Sequence, residues 1–361
     1  MARSVRILSM GASYGSLLAI KLCAAGHAVT LACLPAEVEA FNSAGARVRF
    51  PLKGSDHLVE VDSRRLPGRV DATVPQDARP ADYDLVVLAM QEPQYRSAGV
   101  RELLAAVAHA KVPCMSIMNM PPPPFLARFP SIAIDACRDC YTDYAAWSGF
   151  DPALVTLCSP DPQAFRPPGE PVNVLQVRLP TNFKAARFPA EPHTALLREL
   201  AAGVEAARFD GPGGRIELPV KLKVHDSAFV PLAKWSMLLA GNYRCVGPEG
   251  MRSIRDAVHG DLAASRSVYE WVARLCMTLG AAADDLVPFE KYAAAAQSLL
   301  NPSSAARALA SGAPNIERVD RLVQTLARQH GMRSEAIDGV VAAVDRWLER
   351  NRTTTAPAPS R

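Results

Sequence analysis

The sequence has no apolar stretch of the ~18–20 residues that a bilayer crossing needs, so no membrane partner is expected. It also lacks any run of like charge. Forty Lys and Arg against 36 Asp and Glu leave a net charge of +4, with the two signs interspersed. That pattern gives no basic arm for nucleic acid and suits, at most, a small anionic ligand. Clustered cysteines are missing too. The eight are scattered, and the single close pair, Cys137-x-x-Cys140, has no second pair or Cys/His cluster with which to hold zinc. No metal site is expected from them, and the usage is that of a reduced, cytoplasmic protein. Met1-Ala2-Arg3-Ser4 leads straight into an apolar run, without the h-region or small-residue cleavage site of a secretory signal. No internal repeat is present.

Glycine is scarce where it matters most. Residues 5–34 read as strand, small-residue turn, helix, Gly26-His27 turn and second strand, the length and order of a βαβ unit. A dinucleotide fingerprint would be Gly-x-Gly-x-x-Gly. With Gly15 taken as its last glycine, Met10 and Ala12 stand where the first two belong, and Gly11 is out of register. The context still points to a pyrophosphate site: free backbone N–H groups and a helix N-terminus at Gly11, Ala12, Ser13, Tyr14 and Gly15. Gly15→Asp is expected to abolish binding by crowding that pyrophosphate.

Further on, a short helix is expected over Pro35–Gly45 and an irregular or antiparallel edge over residues 46–80. Asp84–Met90 and Val112–Met118 read as buried strands around a helix at 94–110. Ligands sit at strand C-terminal ends in open parallel sheets, so Leu34, Met90, Gln91 and Asn119 should rim one crevice with Met10–Ser16. Strands are expected at Ala133–Ala136 and Pro171–Leu179, in a region (131–215) that is either the rest of the first domain or an insertion over the site. From about Asp226 the texture turns helical, with amphipathic runs at Leu232–Leu239, Ala263–Leu279, Pro288–Leu300, Ile316–His330 and Ser334–Arg350. The expected plan is a Rossmann-type α/β dinucleotide domain (1–215), an all-helical substrate domain (216–352) and a disordered tail (353–361), with chemistry in a cleft between the domains.

Several short pieces carry a resemblance. They are Ala25-Gly26-His27-Ala28-Val29-Thr30-Leu31, Asp84–Ala89, Ile117-Met118-Asn119-Met120, Trp235-x-x-Leu238-Leu239, and Asn301-Pro302-Ser303-Ser304 followed by Gly312, Ile316 and Val319. Their order and spacing resemble the ketopantoate reductase family, whose two-domain plan is like that of 6-phosphogluconate dehydrogenase. The resemblance implies NAD- or NADP-dependent reduction of a small 2-oxo acid, in a chain that can form a homodimer. It also implies where this chain departs. The family's catalytic lysine falls on Met237. Its next asparagine falls on Gly241, or on Asn242 after a slip of one, and a further asparagine falls on Cys245. Its late acidic residue falls on Asn315, with Glu317 two further on. The lysine at the third strand's end becomes Met90 or Gln91, and the arginine that grips a 2′-phosphate becomes Leu34. The scaffold is kept while most of the polar set is replaced, which points to an altered reaction in specialised metabolism.

Replacement groups can be named. Lys234 lies one helical turn before Met237, and His225 has a suitable pKa range for proton transfer. Lys234, His225 and Asn119 are the catalytic candidates, although a snorkelling lysine, a helix cap and an Asx turn are the plain structural readings. Neutral Leu34 favours NAD slightly over NADP, with Lys53, Arg64 or Arg65 as other sources of charge. Three other functions stay open. A reductoisomerase-like enzyme would need magnesium, for which Glu317 and Asp320 at i,i+3, Asp256, Asp261, Glu270 and Glu290 are the carboxylates to consider. An opine-type dehydrogenase would use His225-Asp226. A nucleotide-binding protein without catalysis would explain Met237, Gly241 and Cys245.

Overall fold

The computed structural model describes residues 3–52, 57–211 and 214–355. Lys53 and the tail beyond Thr355 lie outside the described residues. The chain forms two compact units, one of residues 1–90, 94–128 and 145–231, the other of 91–93, 129–144 and 232–361.

The first unit is built on strands, those of its main sheet mostly parallel. In chain order they are β1 (Arg6–Met10), β2 (Ala28–Ala32), β3 (Arg47–Pro51), β4 (Leu58–Asp62), β5 (Arg69–Thr73), β6 (Leu85–Leu88), β7 (Cys114–Ile117), β8 (Val155–Ser159), β9 (Gln163–Phe165), β10 (Val174–Leu179), β11 (Phe183–Ala186), β12 (Phe209–Gly211), β13 (Gly214–Ile216) and β14 (Leu222–His225). The main sheet has the order β14-β11-β8-β7-β6-β1-β2-β5. Six of these strands, β5-β2-β1-β6-β7-β8, are mutually parallel, and β11 turns back antiparallel on β8 with β14 parallel beside it. Read by rank among the six, the order is the doubly wound one of dinucleotide-binding sheets, and it reverses between β1 and β6. The central strands β6 and β7 are buried along their whole length because both faces of the sheet are covered there.

Helices α1 (Ser13–Ala24), α2 (Pro35–Ala44), α3 (Val100–Ala110), α4 (Pro123–Leu126) and α5 (Glu191–Ala206) connect the strands. Helix α1 is buried along most of its length, from Gly15 to Ala24, because a second sheet lies over it. That sheet, β4-β3-β10-β9, joins the hairpin that follows α2 to the excursion that follows β8. Val48, Phe50, Val61, Leu175 and Val177 from it share one core with Leu17, Leu18 and Leu22. The antiparallel edge expected over 46–80 is therefore the β3–β4 hairpin, and β5 returns to the main sheet.

Lys21 is the anomaly in this core. Its side chain is buried, and Nζ donates to the carbonyls of Leu218 (2.9 Å) and Pro219 (3.0 Å). Burial, with Lys221 adding to it, pulls the ammonium down to about 7. The unfolded chain binds this proton up to the ordinary lysine range and the folded chain releases it near 7. Lys21 therefore contributes a term to stability that rises with pH from about 7 to about 10. Lys21→Met should flatten that rise in a urea-denaturation series; an unchanged slope would exonerate Lys21.

The second unit is helical: α6 (Lys234–Met237), α7 (Ile254–His259), α8 (Leu262–Leu279), α9 (Phe289–Ala296), α10 (Ser304–Ala310), α11 (Val319–Gln329) and α12 (Glu335–Thr355). No described helix is long and apolar enough to cross a membrane. Three helices start on side-chain caps, from Ser253, Asp261 and Ser303. The strand expected at Ala133–Ala136 is instead a 3-10 helix, Ile134–Cys140. Its side chains repeat every third residue, so Cys137 and Cys140 both turn inward, bonded to Gln329 and Thr325 of α11. Burial pushes both thiols up, which makes them inert core groups. Helix α12 carries the chain past Thr353, where the tail was expected to begin.

Candidate functional site

Strand β1 ends at Met10, and Gly11 turns the chain at a φ of +104° that only glycine adopts without strain. The Gly11 N–H is tied to Ala32 O (2.9 Å), and Ala89 N donates to Met10 O (2.9 Å), so the turn is pinned to the ends of β2 and β6. A Cβ at Gly11 would lie 3.0 Å from Ala89 O and 2.5 Å from Met90 Cγ. Glycine is thus required here, one place off the fingerprint register, because the turn lies against the strand beyond β6.

Helix α1 begins immediately after. Its N-cap is Ala12, which has no side chain to cap the helix, and its first turn holds no acid. The start of the helix therefore lies in the helix-dipole field that favours an anion. Ser13 is exposed at this end, and Ser16 Oγ is turned inward to Ser13 O (3.0 Å). This cradle stands at the β1/β6 switch point, at the C-terminal ends of the parallel strands, and its donor set fits a pyrophosphate.

Gly15 does something other than expected. A Cβ there would point to Ser9 Oγ at 2.5 Å, that is, back at β1 and away from the open end of the helix. Gly15 is the contact point between α1 and β1, so its substitution acts on packing and not by crowding a phosphate. This corrects the mechanism assumed for Gly15→Asp.

The other candidates fall in different places. Leu34 ends β2 as the N-cap of α2 and is 69% exposed. Met90 is half-buried, its N–H donating to Tyr95 Oη (3.2 Å). Asn119 follows β7 by two residues and is half-buried before the buried prolines 121–124. These belong to the same strand-end row as Gly11–Gly15. Gln91 is exposed and falls with the second unit. His225 is not brought to the row: it ends β14, five strand places from β1, or ~24 Å at ~4.8 Å per place. Its neighbour Asp226 is held by Arg198 (2.6 Å).

In the second unit, Lys234 opens α6 and the helix then changes pitch. Leu238–Asn242 is a π-turn, which inserts one residue into the helical phase. Beyond it, Asn242 takes the angular place that residue 241 would have in a continuous α-helix. Burial agrees: Lys234, Met237 and Asn242 are half-buried along one stripe, while Trp235, Ser236 and Leu238–Gly241 are buried. Gly241 packs under Tyr292, whose hydroxyl donates to Met237 O (3.0 Å). Ser303 Oγ donates to Asn242 O (2.7 Å), and Tyr243 Oη donates to Glu317 O (2.5 Å). The π-turn is a change of pitch that no residue pattern announces.

The carboxylates considered for magnesium are dispersed. Glu317 precedes α11, so it shares no helix face with Asp320. Asp320 is fully buried and forked by Arg318 (2.9 Å twice). Asp261 caps α8, Asp256 lies beside Arg255, and Glu270 and Glu290 pair with Arg266. No group of three metal-ligating side chains occurs among the described residues. Glu92, buried near Glu317, accepts from Thr142 N and Oγ1 (both 2.8 Å), and burial pushes its carboxyl up.

No protein-family model matches this chain, and no curated protein matches it in sequence. Solved structures do share its fold. A 2-dehydropantoate 2-reductase from Methylococcus capsulatus is 15% identical with a TM-score of 0.67, the match covering 99% of this chain and 100% of that one. A D-mandelate dehydrogenase in complex with NADH and anilino(oxo)acetate is 13% identical with a TM-score of 0.64, over 96% and 99%. A ketopantoate reductase from Ralstonia eutropha is 15% identical with a TM-score of 0.61, over 96% and 99%. The fold is therefore that of two-domain ketopantoate reductases along essentially the whole chain.

Proposed function

We propose that this protein is a nicotinamide-dinucleotide-dependent oxidoreductase of a small 2-oxo or 2-hydroxy acid, a divergent member of the ketopantoate reductase family. One observation carries the reading: the uncapped, acid-free start of α1, set by Gly11 at the β1/β6 switch point. The fold shared with a dehydrogenase that holds NADH and an oxo acid supports it. Bound there, the dinucleotide supplies or accepts the hydride.

The chain's own residues do the rest. N–H groups of α1 hold the pyrophosphate, and Leu34 offers an apolar face at the end of β2. The Asn119 amide is a donor and acceptor at the end of β7. Lys234 and Asn242 share the open stripe of their helix and are the polar groups on it for an oxo acid. An ammonium stabilises the oxygen that becomes alkoxide, and a primary amide orients a carboxylate.

The experiment is a nicotinamide fluorescence titration followed by turnover with a panel of 2-oxo acids, with magnesium and with chelator. We expect binding, and turnover that is the same in both conditions, because Asp320 is committed to Arg318. Lys234→Ala should lower kcat by about 10²–10⁴, the usual worth of a positioned proton donor; intact turnover would remove Lys234 from the site. Loss of activity on chelation would favour the reductoisomerase reading. Met237 at the family's lysine position favours one other reading, a nucleotide-binding protein without catalysis, and tight binding with no turnover of any acid would decide for it.

A further inference from the structure

The end of β2 carries an ion pair that no local pattern announces. Glu37, in the first turn of α2, accepts the Leu34 N–H through Oε2 (3.0 Å) and meets the guanidinium of Arg166 through Oε1 (2.5 Å). Arg166 follows β9, far along the chain. The segment that delivers it is tied to α1: Tyr14 Oη, in the first turn of α1, donates to Pro162 O (2.9 Å), and four residues later Arg166 reaches α2. The Cys33 thiol, which burial pushes up to about 12, feels both Glu37 and Arg166, so the pair sits directly on the strand end.

The pair is not symmetric toward solvent. The Glu37 side chain is 12% exposed and both its oxygens are engaged, whereas Arg166 is 33% exposed. What the β2 end presents outward is therefore a donor-only guanidinium beside an exposed leucine. A ribose diol would need an accessible carboxylate, and Glu37 is covered. A phosphate monoester would find a cation with N–H groups to spare. The other cations considered are engaged or outside the described residues: Arg64 is forked to Asp62, Arg65 lies over the Phe209 ring, and Lys53 is not described.

We infer that Arg166 reads the 2′-phosphate of the dinucleotide and makes the protein prefer the phosphorylated cofactor. The inference rests on the dinucleotide reading above. It reverses the slight leaning toward NAD that Leu34 alone gives, because the family's arginine at position 34 is replaced from a different element of the fold.

The test is fluorescence titration of NADPH and NADH into the full chain and two variants. Wild type should bind NADPH more tightly. Arg166→Ala should weaken NADPH about tenfold or more, the usual loss for a charge-assisted contact, and change NADH by less than about twofold. Glu37→Gln keeps an acceptor for the Leu34 N–H and removes a negative charge near the phosphate, so it should tighten NADPH and leave NADH alone. Equal loss of both dinucleotides in Arg166→Ala, no loss of either, or weaker NADPH binding in Glu37→Gln would each overturn Arg166 as the reader. A wild-type chain that binds neither dinucleotide would overturn the parent reading as well, and that result is distinct from the other three.

Discussion

Gly15→Asp should leave little soluble, folded protein even when no dinucleotide is present. The Cβ it introduces points at Ser9 Oγ, 2.5 Å away, in the buried seam between α1 and β1. A carboxylate there has no partner and costs several kcal/mol. The milder Gly15→Ala separates packing from ligand crowding. It should destabilise the free protein by about 1–3 kcal/mol in urea unfolding, the cost of overpacking. Adding Ser9→Ala removes the close oxygen and leaves Ser9 Cβ at 3.6 Å, an ordinary contact, so the double variant should recover most of the loss. If Gly15→Ala leaves the free protein as stable as wild type and weakens only dinucleotide binding, the glycine serves the phosphate and the packing account fails.

The same glycine shows which parts of the site could be read from residues alone. Its place three residues past Ala12 was enough to locate the turn, since strand, small residues and helix follow each other within one local unit. Periodicity likewise located the parallel strands β1, β2, β6 and β7 and the long helices of the second unit, because burial on both faces leaves apolar runs. Apart from the strand at Pro171–Leu179, which is β10, residues 131–215 are hard to read for the opposite reason. Strands β8 and β11 are short and complete the sheet only by pairing with β7, with each other and with β14, and α5 gains its buried face from β14 and α1. Nothing nearby in the chain records such partners.

Site residues divide along the same line. Gly11, Ala12 and Asn119 sit at the ends of strands that the sequence marks, so their placement could be anticipated. His225 was marked by its chemistry, and the sheet carries it to the β14 edge. Arg166 had neither advantage. A strand pairing far along the chain lays it against Glu37. A short run rich in small and β-branched residues fits either period, so the sequence at 133–136 reads as a strand while the chain forms the 3-10 helix Ile134–Cys140.

Installing the family's asparagine by Gly241→Asn should fail, and the reason is Tyr292. A Cβ at position 241 would collide with the Tyr292 hydroxyl and lie 3.2 Å from Val258 Cγ2. That hydroxyl cannot simply retreat. It donates to Met237 O at the start of the π-turn, and its ring is stacked on Tyr269 with centroids 5.5 Å apart. Overpacking and a broken buried hydrogen bond together cost roughly 2–4 kcal/mol, readable as a lower urea midpoint. Tyr292→Phe alone should cost about 1–2 kcal/mol by orphaning the Met237 carbonyl. Combined with Gly241→Ala, the two losses should fall short of their sum by at least about 1 kcal/mol, since one clash is then counted in only one variant. Simple additivity would mean that the hydroxyl and the glycine do not share the space. The consequence for chemistry follows from the same packing. With Tyr292 filling the place under residue 241, and the π-turn advancing the phase by one, an amide on the open stripe has to come from Asn242. Asn242→Ala should therefore depress turnover with little change in stability, while Gly241→Asn loses stability and regains no activity.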